Sequence, residues 1–111
     1  MSEEMIYDTK YYQIAKTTDI PDGERLFFEI GGKPIVLFAL KGEYLAIADV
    51  CSHDQGPVGE GDLEGDVIIC PRHGARFNIR NGKVLSFPAV TDIPVYPVRV
   101  KDDYLEVGIS G

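Results

Sequence analysis

The sequence predicts an all-β, antiparallel fold in a single domain of 111 residues, and three observations lead there. Short runs of branched and aromatic residues recur, with turn-forming breaks about every eight to twelve residues. No segment keeps its apolar residues at the helical period long enough to build an amphipathic helix. The breaks carry hairpin chemistry, above all Asn81-Gly82, the strongest short turn signal in the chain.

Taken in order, residues 11–16, from Tyr11 to Lys16, read as a first strand, and Thr17 to Gly23 as a turn-rich connection. Arg25 to Ile30 is aromatic and branched; Gly31-Gly32 separates it from Pro34 to Leu40, which makes a hairpin. A break at Lys41-Gly42 leads into Glu43 to Asp49, whose apolar run stops just short of Cys51. Residues 54–65 hold Gly56, Pro57, Gly59, Gly61 and Gly65, too many breakers for a helix, and read as irregular connection. Val67-Ile68-Ile69 is a short buried strand that delivers Cys70. Arg76 to Arg80 and Lys83 to Phe87 flank Asn81-Gly82 as a second hairpin. The last strands are Val95 to Val100 and Tyr104 to Ile109, turned by Asp102-Asp103, with Pro94 and Pro97 marking an edge or bulged strand. Phe27, Phe28 and Phe38 are expected in the core.

Composition bounds the rest. Hydrophobic residues make up 44% of the chain, enough for a folded domain, yet no apolar run is long enough to span a bilayer. The start, Met1 to Met5, is acidic and lacks the positive-then-apolar order of a secretory signal, so a cytoplasmic protein is expected. A net charge of -7 argues against nucleic acid as a partner, because phosphates would be repelled, and suits an encounter with a basic patch on another protein. One domain of this size leaves no room for a separate catalytic domain.

The chemistry concentrates in one stretch. The chain has two cysteines and two histidines, and all four lie in Cys51-Ser52-His53, sixteen residues, and Cys70-Pro71-Arg72-His73. Thiolate and imidazole are the donors that soft and intermediate metals take, so four from two short loops make a complete set of ligands. A tetrahedral zinc staple and a two-iron, two-sulfide cluster both use two Cys and two His. Zinc fingers usually keep each pair uniform, whereas each loop here carries one Cys and one His, as a two-iron cluster requires if each loop is to reach both irons. Two cysteines committed to metal leave none for a disulfide, in keeping with a reducing compartment.

This Cys-x-His, sixteen residues, Cys-x-x-His pattern followed by Gly74 resembles the Rieske iron–sulfur family. The resemblance implies an antiparallel Rieske fold: a basal β-sandwich or barrel-like body of residues about 1–49 and 90–111, and a small cluster-binding subdomain of about 50–89. It implies one Rieske-type 2Fe-2S cluster per chain, with Cys51 and Cys70 on the buried iron and His53 and His73 on the outer one. With no coordination position open, such a centre carries an electron and has no catalytic residue. The implied function is that of the soluble ferredoxin of ring-hydroxylating dioxygenase systems, a monomer passing one electron from a flavin-dependent reductase to a terminal non-heme iron oxygenase. The alternative is a noncatalytic small subunit or interaction module of a reductase, similar to that of assimilatory nitrite reductase. The oxygenase itself would need further histidines for a mononuclear iron, and the chain has none to spare.

By the same resemblance, respiratory and photosynthetic members join a second cysteine from each loop in a disulfide; Asp54, Gln55 and Arg72 stand around the histidines here, so that subclass is excluded. Those members also place a serine and a tyrosine hydroxyl near the cluster where Ala75 and Phe77 stand, implying a potential toward the low end of the roughly -150 to +300 mV Rieske range. Ser86-Phe87-Pro88-Ala89 resembles the proline-containing loop that shields the cluster. Gly74 is expected to let the backbone approach the cluster or to form a tight turn, and Gly56-Pro57 to shape the first loop over the cluster or merely to turn the chain. Arg72 and Arg76 are open to partner contact or to simple solvation.

Overall fold

A computed structural model describes residues 9–110; the acidic start lies outside them. Among the described residues there are eleven strands in three antiparallel sheets and a single 3-10 turn at Thr17–Asp19. No helix there is long and apolar enough to cross a membrane.

The predicted strands form nearly where they were read. In one sheet β2 (Arg25–Ile30), β3 (Lys33–Leu40) and β4 (Glu43–Ala48) pair as a meander, and β9 (Val95–Tyr96) joins its edge beside β4. In a second sheet β11 (Tyr104–Ile109) lies between β1 (Lys10–Lys16) and β10 (Val98–Lys101). A third, smaller sheet runs β5 (Leu63–Glu64), β6 (Val67–Ile69), β7 (Arg76–Asn78), β8 (Val84–Ser86).

Strand β3 explains how the three sheets share one molecule. Its residues Ile35 to Ala39 are buried without interruption, which a strand can be only if both of its faces are covered. Successive side chains point to opposite faces: Ile35, Leu37 and Ala39 pack with Ala46, Leu105 and Val107, while Val36 and Phe38 pack with Ile47, Cys51, Ile68, Cys70 and Phe77. The β2-β3-β4-β9 sheet therefore separates two cores, with the terminal strands on one side and the two cysteine loops on the other.

Four expectations are corrected or refined. The barrel-like alternative is not realised, since the three sheets do not close; separately, Pro97 interrupts the run read as one strand from Val95 to Val100. With no N–H to donate, Pro97 divides that run into β9, which pairs with β4, and β10, which pairs with β11; its carbonyl accepts the Gly108 N–H at 2.9 Å. Phe27 is not core. It lies 42% exposed on edge strand β2 and covers Gly59, where an added Cβ would come within 2.8 Å of the Phe27 ring; Phe38 is buried and Phe28 half-buried. The Asn81-Gly82 hairpin forms with a wider turn than a two-residue loop, its strands ending at Asn78 and resuming at Val84. The turn is drawn open from outside: Gly82 accepts the Ile93 N–H through its carbonyl, and a Cβ on it would meet the Ile93 carbonyl oxygen at 2.0 Å. By contrast Asp102 and Asp103 both take left-handed backbone, at φ 52° and 68°, as a tight hairpin turn between β10 and β11 demands.

Candidate metal centre

Each metal loop leaves a buried strand end and closes on itself in the same way. The Cys51 N–H donates to the Gly56 carbonyl and the Gln55 N–H returns to the Cys51 carbonyl, both at 2.7 Å. In the second loop the Cys70 N–H donates to the Ala75 carbonyl at 2.7 Å and the Gly74 N–H returns to the Cys70 carbonyl at 3.0 Å. The fourth residue after each cysteine has left-handed backbone, Gln55 at φ 65° and Gly74 at φ 77°. Glycine adopts that conformation freely, and Gln55 does so at a cost. A Cβ on Gly74 would meet no protein atom within 4 Å, so among protein contacts its role is the turn.

These turns sort the four donors by depth. Cys51 and Cys70 are free thiols at 0% and 1% exposure, sunk in the core beneath β3. His53 and His73 are exposed, with ring centroids 5.0 Å apart in an edge-to-face arrangement. Burial pushes the Cys51 thiol up and the neighbouring Cys70 thiol adds to this, while the backbone N–H groups of His53 and Asp54 oppose it by hydrogen bonding. A buried thiol made hard to ionise, beside a second thiol and facing backbone donors, suits a cation that supplies the missing positive charge.

A single zinc ion does not fit this arrangement. Tetrahedral ligation would bring all four donor atoms within roughly 4 Å of one another. Among the described residues, the one set of three or more metal-type donors drawn within 4.8 Å is His53, Asp54 and His73, without either cysteine. Both Asp54 oxygens in that set are occupied by Arg72, at 2.6 and 2.8 Å. The donors divide into a buried thiol pair and an exposed imidazole pair, which is the division a two-iron cluster with unlike ends calls for.

Several polar contacts place these loops; Asp49, Arg25 and Ser52 were not given such a role from the sequence, and Arg72, read there as a partner contact or a solvated charge, turns inward to Asp54. Asp49 accepts the N–H groups of Val58 and Gly59 at 3.0 and 2.6 Å, anchoring the chain that leaves the first loop. Arg25, stacked over the Phe38 ring, donates to the carbonyls of Gly59 and Gly61, the latter at 2.9 Å. Ser52 donates its hydroxyl hydrogen to the Thr91 carbonyl, tying the first loop to the segment after Pro88. Arg72 holds the Asp54 carboxyl far below the usual range, helped by the Gly56 N–H. The Arg25, Ser52 and Arg72 contacts join residues far apart in the chain, and no local spacing signals them.

Ala75 and Phe77 are both fully buried among the loop residues. On the segment Ser86-Phe87-Pro88-Ala89, Ala89 is buried but Phe87 is 81% exposed, and Val90 beside it is 72% exposed.

Known proteins of one family resemble this chain. Residues 10–97 match the family model of the Rieske [2Fe-2S] domain. The chain is 36% identical over 99 residues to the ferredoxin component of biphenyl 2,3-dioxygenase from Rhodococcus jostii (strain RHA1), covering 89% of this chain and 92% of that protein. It is 32% identical over 101 residues to the ferredoxin component of the naphthalene 1,2-dioxygenase system of Pseudomonas putida, covering 91% and 97% of the two. A chain in the solved complex of reduced oxygenase and oxidized ferredoxin in carbazole 1,9a-dioxygenase superposes with a TM-score of 0.80 at 30% identity, covering 87% of this chain and 91% of that one. With a match to the family along most of the chain, and relatives of its own length named as ferredoxin components, the chain belongs to the Rieske [2Fe-2S] family as a ferredoxin component, an electron-transfer protein with a Rieske-type 2Fe-2S cluster.

Proposed function

We propose that Cys51, Cys70, His53 and His73 hold the cluster, and that this ferredoxin passes electrons from a flavin-dependent reductase to a terminal non-heme iron oxygenase of the ring-hydroxylating kind, in the cytoplasm. The observation that carries the reading is the depth separation of the donors, with both thiols buried and both imidazoles exposed. When bound, a 2Fe-2S cluster with two imidazole ligands supplies a one-electron couple at a higher potential than an all-cysteine cluster. Cys51 and Cys70 provide the two anionic ligands and exclude water from that end. His53 and His73 provide neutral ligands at the surface, the end to which a redox partner has access.

One apolar surface suits protein contact. Leu85, Phe87 and Val90 are 51%, 81% and 72% exposed and line one shallow groove with Val84, Ser86 and Ala89. Large apolar side chains gathered at one place mark a contact face. Relatives function in dioxygenase systems, and a similar chain occurs in a complex of oxygenase with ferredoxin. The chain's acidity favours partners whose docking face is basic.

The division into a basal body, residues about 1–49 and 90–111, and a cluster-binding subdomain, about 50–89, belongs to the same proposal. It is supported by the third sheet lying wholly within the second range, while the other two sheets lie in the first.

Metal and acid-labile sulfide analysis tests the assignment: about two irons and two sulfides per chain are expected, with a dithionite-reduced EPR signal of low average g. One zinc without sulfide would overturn it. Reduction by a flavin reductase and reoxidation by a terminal oxygenase, each followed by the visible spectrum, tests the partners.

A further inference from the structure

We infer that Arg72 is a positioning residue whose guanidinium clasps the two metal loops together, holding His53 and His73 in mutual register where no disulfide joins them. The inference rests on the ligand assignment proposed above. Each partner of the clasp is the immediate neighbour of a ligand: Arg72 precedes His73 in the second loop, and Asp54 follows His53 in the first. The Arg72 Nε and Nη2 donate to Asp54 Oδ2 and Oδ1 at 2.6 and 2.8 Å, and Nη1 donates to the Pro57 carbonyl. All three guanidinium nitrogens are thus engaged on the opposite loop. A planar fork meeting a carboxylate at two points fixes orientation as well as distance.

Two further observations support a built clasp over a chance surface pair. A Cβ on Gly56 would stand 2.8 Å from Arg72 Cζ, 2.9 Å from Nη2 and 3.0 Å from Nε, so the guanidinium lies flat against a position that only glycine leaves clear. Gly56 also donates its N–H to Asp54 Oδ1 at 3.0 Å, aiming the carboxylate at the fork. The loops need such a tie. Each closes on its own backbone, and among the described residues no backbone hydrogen bond runs from the Cys51–Gly56 turn to the Cys70–Ala75 turn.

The clasp also balances charge at the exposed end. Asp54 Oδ2 lies 3.7 Å from His73 Nε2. With Arg72 removed, that carboxylate faces the histidines uncompensated, and a negative charge there disfavours an added electron. A merely structural contact would not move the potential.

The test uses the cluster-loaded full-length chain, with the half-time of visible absorbance loss to an iron chelator and the reduction potential as readouts. Arg72→Gln is expected to shorten the half-time by about two- to fivefold, the range an exposed ion pair carries, and to lower the potential. Arg72→Gln with Asp54→Asn returns the potential toward wild type while the half-time stays short. Gly56→Ala, whose backbone is not in the left-handed region, pushes the guanidinium aside but keeps its charge, and shortens the half-time with little change in potential. Arg72→Lys, which keeps charge without the fork, recovers the potential more fully than the half-time. Should wild type hold iron and sulfide while all four variants match it in both readouts, the clasp is overturned. A wild-type chain without iron or sulfide would instead overturn the ligand assignment.

Discussion

The two cores that meet on either side of β3 are held together by different means. On one side, Ile20, Ile35, Leu37, Ala39, Ala46, Leu105 and Val107 pack between strands of six to eight residues, with no buried ionisable group among them. On the other side the elements are strands of two or three residues and two turns; the buried set includes both thiols, and Arg25, Asp49, Arg72 and Arg80 reach across chain breaks to hold backbone and carboxylates. The first core is a product of apolar area and strand pairing. The second also buries large apolar side chains, Phe38 and Phe77 among them, but its own strands are short, and polar ties join what sheet pairing leaves unjoined. The difference teaches that electron-transfer geometry has been placed where sheet pairing is weakest and supported there from outside, by the rigid β3 and β4.

The largest expected effect breaks the second core alone. Cys70→Ser removes a thiolate ligand, so visible absorbance and acid-labile sulfide should be lost altogether, while hydrogen exchange of the β3 and β11 amides stays slow. Unprotected β3 amides in that variant would mean that the first core also depends on the metal.

Next, adjacent residues of β3 separate the cores directly. Phe38→Ala faces the loops and should cost about 3–5 kcal/mol, with faster cluster loss at temperatures where the strands remain folded. Leu37→Ala faces the other way and should cost about 2–5 kcal/mol, lowering the thermal midpoint with the EPR g values unchanged. Equal loss of cluster in both variants would erase the distinction.

A smaller effect sharpens the chemistry of the second core. Ala75→Ser with Phe77→Tyr places hydroxyl donors at two fully buried positions; donated to the sulfides of a bound cluster, such hydrogen bonds would favour its reduced form, and the potential should rise in voltammetry. Hydroxyls that found no acceptor would destabilise the protein without moving the potential.

The smallest effect concerns the seam. Arg80, in the turn after β7, donates to both oxygens of Glu43 on β4 at 2.9 Å and to Asp66 at 3.2 Å. Arg80 holds the Glu43 carboxyl below its ordinary value of 4.5 by hydrogen bond and charge. A depressed carboxylate stabilises the fold fully above its ordinary value and ceases to do so as pH falls through the depressed one. The thermal midpoint of Glu43→Gln should therefore lie slightly below wild type at neutral pH, and the gap should begin to narrow only as pH falls below the ordinary carboxyl value of 4.5. A gap that is constant with pH would assign the effect to packing.

Much of the fold was legible because its signals are local. The Asp102-Asp103 turn, the β2–β3 hairpin and the short strand before Cys70 each follow from propensity and breaker chemistry within a few residues. Phe27 was misread because edge-strand exposure depends on which neighbour covers the other face. The wide turn at Asn81-Gly82 was misread because Ile93, eleven residues on, opens it. The proposed ligand set rests on chain spacing, which the sequence carries by itself; the contacts of Asp49, Arg25 and the Asp54–Arg72 pair were not legible, because each acts on a partner with no fixed separation in the chain.

By itself, the order of residues determined the all-β class and the hairpins and put forward the four proposed donors, since turn propensity and metal preference belong to residue types and short spacings. Only the folded chain decided that β3 is covered on both faces, that Pro97 sends one run into two sheets, and that the cysteines sink while the histidines stay at the surface. Burial and cross-loop pairing arise from contacts between distant segments, and those exist only once the sheets have brought the segments together.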